Sequence, residues 1–208
     1  MRLKYFLLLV RQLFRPEYAL VTWNEERTQC WFNNTALENE SEFKLVGMVF
    51  GLAIYNSIVL DVHFPPLVYT YLLDPEYEPV LDDLQEAFPQ LCDGLRSLLA
   101  YDGGDEEDVF CLVMSVSVEA FGVVSSHDLV ADGSNIAVTA SNKHEYVERY
   151  VRFILRDSVL GPLQAFCAGF HLVAKRKGFL QHVLPVEVPF PSLFLFSFFL
   201  FSYSLFFL

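Results

Sequence analysis

Few residues of this 208-residue chain have the chemistry to act as nucleophiles, bases or metal ligands, and they are scattered. Cys30, Cys92, Cys111 and Cys167 lie far apart, with no Cys-x-x-Cys pair and no Cys/His grouping at zinc spacing. They are expected to be reduced thiols of an intracellular, cytoplasmic protein. The histidines, His63, His127, His144, His171 and His182, stand at no ligand spacing. The string Ser125-Ser126-His127-Asp128 contains the letters of a hydrolase triad. Triad members meet in space rather than along the chain, so a turn is expected there. Phosphate-binding glycine loops, G-x-S-x-G elbows and H-E-x-x-H pairs do not occur. The acidic run Asp102, Asp105, Glu106, Glu107, Asp108 has neither alternating ligand spacing nor a closing glutamate, and reads as a solvated loop. These patterns call for no metal, no cofactor and no catalytic residue.

Apolar residues at helical spacing offer a different chemistry, that of holding another protein. Leu91 and Leu95 are one turn apart with Tyr101 just beyond, and Tyr146 and Tyr150 are one turn apart further on. Beside an acidic stretch, they would make a groove for an apolar anchor on a basic-rimmed partner. Composition alone favours core packing for the same positions, because apolar pairs four apart on helices usually face the core. With 26 acidic against 14 basic residues and a net charge of -12, the chain is a poor binder of nucleic acid.

The elements that must position these residues follow from periodicity and punctuation. The opening Met1 to Lys4 and the run Tyr5 to Val10 are too short for a signal peptide and are followed by Arg11 and Arg15, so a core helix ending at Pro16 is expected. Short strands follow between Thr22 and Asn34. A capping start at Asn39 opens a helix from Phe43 to Asn56, apolar all round and therefore buried, with Gly47 and Gly51 clearing a stripe for another backbone. Helices are predicted at Pro66 to Leu73, Leu81 to Ala87 and Gln90 to Ala100. Alternation from Phe110 to Val118 predicts a strand. Phe121-Gly122, Asp132-Gly133 and Ser134-Asn135 punctuate shorter strands. A long helical segment runs from Ser141 to about Val173, bent or broken near Gly161-Pro162.

Read together, these residues resemble the N-terminal lobe of the HECT-type E3 ubiquitin-protein ligases. The resemblance rests on Phe43-x-Leu45-x-Gly47, Gly51 to Asn56, Leu60-Asp61-x-x-Phe64-Pro65 and Leu81-Asp82-Asp83-Leu84. It continues through Phe121-Gly122, Val138-Thr139 with Asn142, Glu145-Tyr146-Val147-x-x-Tyr150 and Ala165-Phe166-x-x-Gly169-Phe170. It implies an α+β, mainly helical fold with short antiparallel strands over residues 1–180. It also implies a two-lobed transferase, in which this lobe docks a ubiquitin-charged E2 and a separate lobe carries the cysteine that takes ubiquitin as a thioester. Ubiquitin would then be met indirectly, through the E2. By the same resemblance, the E2-docking positions fall on Leu91, Leu95, Tyr101, Cys111, Tyr146 and Tyr150, reversing the core-packing preference. Cys111 stands where a larger aliphatic residue is usual, so this edge of the groove is expected to be shallower. Thr28-Gln29-Cys30-Trp31-Phe32-Asn33 loosely echoes the catalytic signature of the family. It falls in an early strand region, and Cys30 is expected to be packed and unreactive.

Past residue 180 the pattern departs. Residues 181–208 pass through Pro185, Pro189 and Pro191 into a tail, Phe190 to Leu208, that holds 8 of the 21 phenylalanines and no charge. The expectation is a truncated ligase that retains the docking lobe and lacks the catalytic one, followed by an apolar sequence without selected structure. The alternative is a tail-anchored membrane protein using the lobe as a scaffold. As a helix the tail would span about 28 Å, and Lys175-Arg176-Lys177 would suit a cytoplasmic flank. Contact with a membrane would run through residues 190–208 alone.

Overall fold

The computed structural model describes residues 2–15, 18–24, 29–33, 40–56, 58, 60, 62–120 and 123–174. The order is α1 (Arg2–Leu13), β1 (Val21–Trp23), β2 (Cys30–Phe32), α2 (Glu40–Tyr55), α3 (Pro66–Leu73), α4 (Leu84–Ala87), α5 (Pro89–Ala100), α6 (Glu106–Phe110), β3 (Ser115–Ala120), β4 (Val123–Asp128), α7 (Lys143–Leu155) and α8 (Leu160–Ala174). Among the described residues the fold is mainly helical, with two small antiparallel sheets. In one, Val21 faces Phe32 and Trp23 faces Cys30; in the other, Ser115 faces Asp128 and Ala120 faces Val123. Asn39, Phe121-Gly122, Lys175 to Lys177 and the tail lie outside the described residues.

The centre of the fold is the packing of α2 on α8, and glycine makes it close. A Cβ on Gly47 would lie 2.8 Å from the Phe170 backbone nitrogen, and one on Gly169 would lie 2.7 Å from the Lys44 carbonyl carbon. Each backbone therefore occupies the space a side chain would need, as the spacing of Gly47 and Gly51 predicts. Around the crossing, Phe32, Phe50, Phe64 and Phe166 pack with ring centroids 5.3 to 5.7 Å apart, in edge, tilted and stacked geometries within the range that aromatic pairs favour. Phe43 joins them through Phe32 at 5.9 Å. The buried Tyr71 hydroxyl of α3 donates to the Leu155 carbonyl of α7 at 3.3 Å, so its one polar atom is satisfied inside the core.

The structure corrects several expectations. Helix α2 is not buried all round: Leu45, Leu52 and Tyr55 are exposed on one face. Residues Leu81–Asp83 make a 3₁₀ turn before α4 rather than helix throughout, with Asp83 Oδ2 accepting from the Val80 amide at 2.8 Å. The long C-terminal helix is broken as expected, but the break falls at Arg156 to Val159, a few residues before Gly161-Pro162. Pro162 lies in the first turn of α8, where its missing N–H would have had no partner in any case. At the break, Arg156 donates to the Tyr77 carbonyl and to Glu78 Oε1, both at 2.9 Å, and ties the loop after α3 to the α7–α8 corner. The Ser125 to Asp128 string belongs to β4, not to a turn.

The predicted strand over 110–118 proves to be shorter and displaced. Helix α6 takes residues through Phe110, and β3 begins only at Ser115. The alternation nevertheless describes burial correctly: Met114 and Val116 are buried, and Cys111, Val113 and Ser117 are exposed. Period-2 burial arose here from an extended crossing, Leu112 to Met114, that pairs with Ile136 to Val138. Met114 donates its amide to Ile136, and Val138 donates its amide to Leu112, at 2.8 and 2.9 Å.

Candidate functional site

Helices α5, α6 and α7 carry the six positions singled out by spacing and resemblance. Helix α5 starts at Pro89, whose fixed backbone suits the first helical position, and presents Leu91 half-buried and Leu95 buried. It ends at Tyr101, which turns to an extended conformation. The Tyr101 hydroxyl donates to Asp105, and its ring meets Phe110 edge-on with centroids 5.4 Å apart. That carboxylate, accepting the bond, pushes the Tyr101 hydroxyl pKa up, with burial and the charge of Glu106 adding to it.

Cys111 ends α6 in the left-handed conformation, with φ +50°. Its amide donates to the Glu107 carbonyl at 3.1 Å, closing the helix C-terminus, and its thiol donates to the Asp108 carbonyl at 3.4 Å. It is the exposed member of the four cysteines. Burial pushes the other thiols up, Cys30 to about 12 and Cys167 to about 11, with Cys92 raised as well. A thiol held in its neutral form is a poor nucleophile, so the echo of a catalytic motif around Cys30 is structural. Cys30 instead belongs to the strand β2, where its amide donates to the His63 carbonyl at 3.0 Å.

Helix α7 packs against α5 and supplies Tyr146, buried, and Tyr150, half-buried, with ring centroids 5.5 Å apart. Burial raises the pKa of both hydroxyls. The start of α7 is fixed by Asn142, whose side chain accepts from the Thr139 amide at 2.8 Å and donates to the Ala137 carbonyl at 2.9 Å. The same 136–138 segment pairs with Leu112 to Met114, so the exit from Cys111 and the entry to the tyrosines are joined. Leu95 and Tyr146 lie in the core, whereas Leu91, Tyr101, Tyr150 and Cys111 reach solvent.

Sequence reasoning missed two residues in this region. The side chains of Lys143 and Glu106 are 7% and 2% exposed and form an ion pair at 3.2 Å. The acidic run is thus partly a helix with one carboxylate turned inward, not a solvated loop throughout. A signal existed for Lys143, which precedes Tyr146, Val147, Tyr150 and Val151 at three, four, seven and eight residues, the inward stripe of α7. Nothing in the run of carboxylates distinguished Glu106.

A mainly helical fold with small antiparallel sheets is what the sequence resemblance implies. The chain belongs to the HECT-domain (ubiquitin-transferase) family, which it matches over residues 7–188. Among curated relatives it is 42% identical over 197 residues to mouse (Mus musculus) "Probable E3 ubiquitin-protein ligase HECTD2", covering 89% of this chain and 25% of that protein. It is 39% identical over 176 residues to human (Homo sapiens) "Probable E3 ubiquitin-protein ligase HERC4", covering 85% of this chain and 16% of that protein. A relative from Eremothecium gossypii, "Probable E3 ubiquitin-protein ligase HUL4", is 34% identical over 192 residues, covering 86% of this chain and 23% of that protein. The chain therefore spans about a quarter or less of the length of these relatives. Among the described residues, no helix is long and apolar enough to cross a membrane.

Proposed function

We propose that this chain is the E2-docking part of a HECT-type ubiquitin ligase, with residues 1–180 as the lobe and with Leu91, Leu95, Tyr101, Cys111, Tyr146 and Tyr150 as the docking surface. The observation that carries this reading is the joining of three elements: α5 packs on α7, and the segment after Cys111 pairs with the segment that leads into α7. Leu95 and Tyr146 form the floor, and Leu91, Tyr101 and Tyr150 offer apolar area to an anchor side chain from the partner. Tyrosine suits this role because it presents a large rigid face at low entropic cost. Asp102, Asp105, Glu107 and Asp108 beside the groove favour an E2 with basic residues around its anchor.

In the reaction this serves, the E2 brings ubiquitin as a thioester, and an acceptor cysteine thiolate attacks the thioester carbonyl, releasing the E2 thiol. Cys30, Cys92 and Cys167 are buried and protonated, so they do not supply that thiolate. The lobe contributes by orienting the E2, which is catalysis by positioning. Four unpaired cysteines suit the reducing cytoplasm, where E2 enzymes work.

The test is binding of the purified chain to a panel of purified E2 enzymes by calorimetry, with Tyr150→Ala as the variant. Loss of a half-buried aromatic anchor is expected to weaken the best E2 at least about tenfold. Leu95→Asp should abolish binding too, but it puts a charge into the core and reports on folding as well. Equal affinity in wild type and in a folded Tyr150→Ala chain would overturn the reading.

A further inference from the structure

The ion pair of Lys143 and Glu106 sits where all three groove elements meet. Lys143 occupies the first turn of α7, one turn before Tyr146 and two before Tyr150. Its ammonium donates to Glu106 Oε1 at 3.2 Å on α6, and to the carbonyl of Tyr101 at the end of α5. Asp102 Oδ1 lies at 4.0 Å. One cation is therefore bound by acceptors from the end of α5, from α6 and from the link between them, while its own backbone belongs to α7. The Tyr101 carbonyl lies at the C-terminal end of α5, where the helix dipole favours positive charge.

We propose that Lys143 and Glu106 are positioning residues for E2 docking: their buried ion pair clamps α5, α6 and α7 together and holds the groove in its binding shape before the partner arrives. This rests on the docking surface proposed above. The energetics of buried pairs explain why a clamp and not bulk stability is the role. Taking two charges out of water costs about as much as their attraction returns, so a well-packed apolar pair at the same place would stabilise the fold as well or better. What an apolar pair lacks is direction. An ammonium donates along fixed directions, and here it donates to the Tyr101 carbonyl and to the buried Glu106 carboxylate, so the positions of Tyr101 and of α6, and through α6 of Phe110 and Cys111, are set relative to Tyr146 and Tyr150. Without the clamp, the 101–111 segment would have to be ordered as the E2 binds, and affinity would fall by that cost.

The experiment compares Lys143→Met, Glu106→Leu and the double variant with wild type, using urea unfolding, amide hydrogen exchange over residues 101–111, and affinity for the E2 that binds wild type best. Lys143→Met leaves the buried Glu106 carboxylate unpaired, and Glu106→Leu leaves the buried ammonium with only the exposed Asp102 as counter-charge, so each single variant should lower the unfolding midpoint. The double variant should regain the midpoint. Its affinity should nevertheless stay about tenfold below wild type, and its 101–111 amides should exchange faster. Recovery of both affinity and exchange protection in the double variant would overturn the clamp, because the pair would then matter only for folding. Failure of the docking surface itself shows differently: Tyr150→Ala would bind as wild type does, while exchange over 101–111 would still report whether the pair holds the three elements.

Discussion

Replacing Gly169 with alanine tests the centre of the fold with a single methyl group. The added Cβ would run into the Lys44 carbonyl, 2.7 Å from its carbon and nearer still to its oxygen, where ordinary contact begins near 3.4 Å, so α2 and α8 must part by more than about 0.7 Å. A gap of that size forfeits between a quarter and a half of each dispersion contact it opens. With about fifty atom pairs across the interface at about 0.15 kcal/mol each, the loss is about 2.5 kcal/mol. Alanine returns up to about 1 kcal/mol of helix propensity, which leaves a net destabilisation of at least about 1.5 kcal/mol. In urea this lowers the unfolding midpoint by about 1 M, followed by far-UV circular dichroism. Gly94→Ala is the matched control, since Gly94 lies on the exposed side of α5 with nothing within 4 Å of the added Cβ. It should raise stability by about 0.5–1 kcal/mol. Gly47→Ala should resemble Gly169→Ala, and the two together should cost less than their sum, because the same interface is already open. A Gly169→Ala chain as stable as wild type would refute the close-crossing reasoning.

Two further outcomes follow from the thiols. Brief treatment of the native chain with a maleimide should modify Cys111 and spare Cys30, Cys92 and Cys167, as read by peptide mass spectrometry; modification of Cys30 at a comparable rate would contradict its burial. Stability should also fall in alkali. Cys30 is raised from 9.0 to about 12, so the unfolded chain releases that proton first. The stabilisation is fully present below pH 9 and is lost between pH 9 and about 12, with half-buried Tyr69, also raised to about 12, contributing from pH 10 upward. An unfolding midpoint unchanged at pH 11 would contradict this.

How far the sequence revealed the molecule depends on the range of the interactions concerned. Helix α3 was legible to the residue because proline marks its start and its apolar run ends at Asp74. The glycine stripe of α2 was legible because close approach of backbones leaves few alternatives. The exposed face of α2 was not, because apolar residues on all sides of a helix do not say which neighbours are present. The break at Arg156 was not visible either, since it depends on carbonyls of Glu76 and Tyr77 about eighty residues away. Leu91 with Leu95 and Tyr146 with Tyr150 were visible as pairs on helices, Tyr101 as a neighbour of the first pair and Cys111 through the family resemblance alone; how these elements are joined depends on the pairing of 112–114 with 136–138 and the inward turn of Glu106. Both are tertiary choices that local periodicity does not encode.

The α2–α8 crossing also bears on the order of events during synthesis. Gly47 and Phe166 lie more than a hundred residues apart, so the ribosome must deliver most of the lobe before the closest-packed pair of helices can form. Until then the apolar side of α2 has no partner from α8, and Phe43 and Phe50 wait with it. Long-range closure of this kind slows folding and lengthens the time during which a nascent chain exposes apolar surface. For this lobe, the interval between the emergence of α2 and that of α8 is when chaperones matter most.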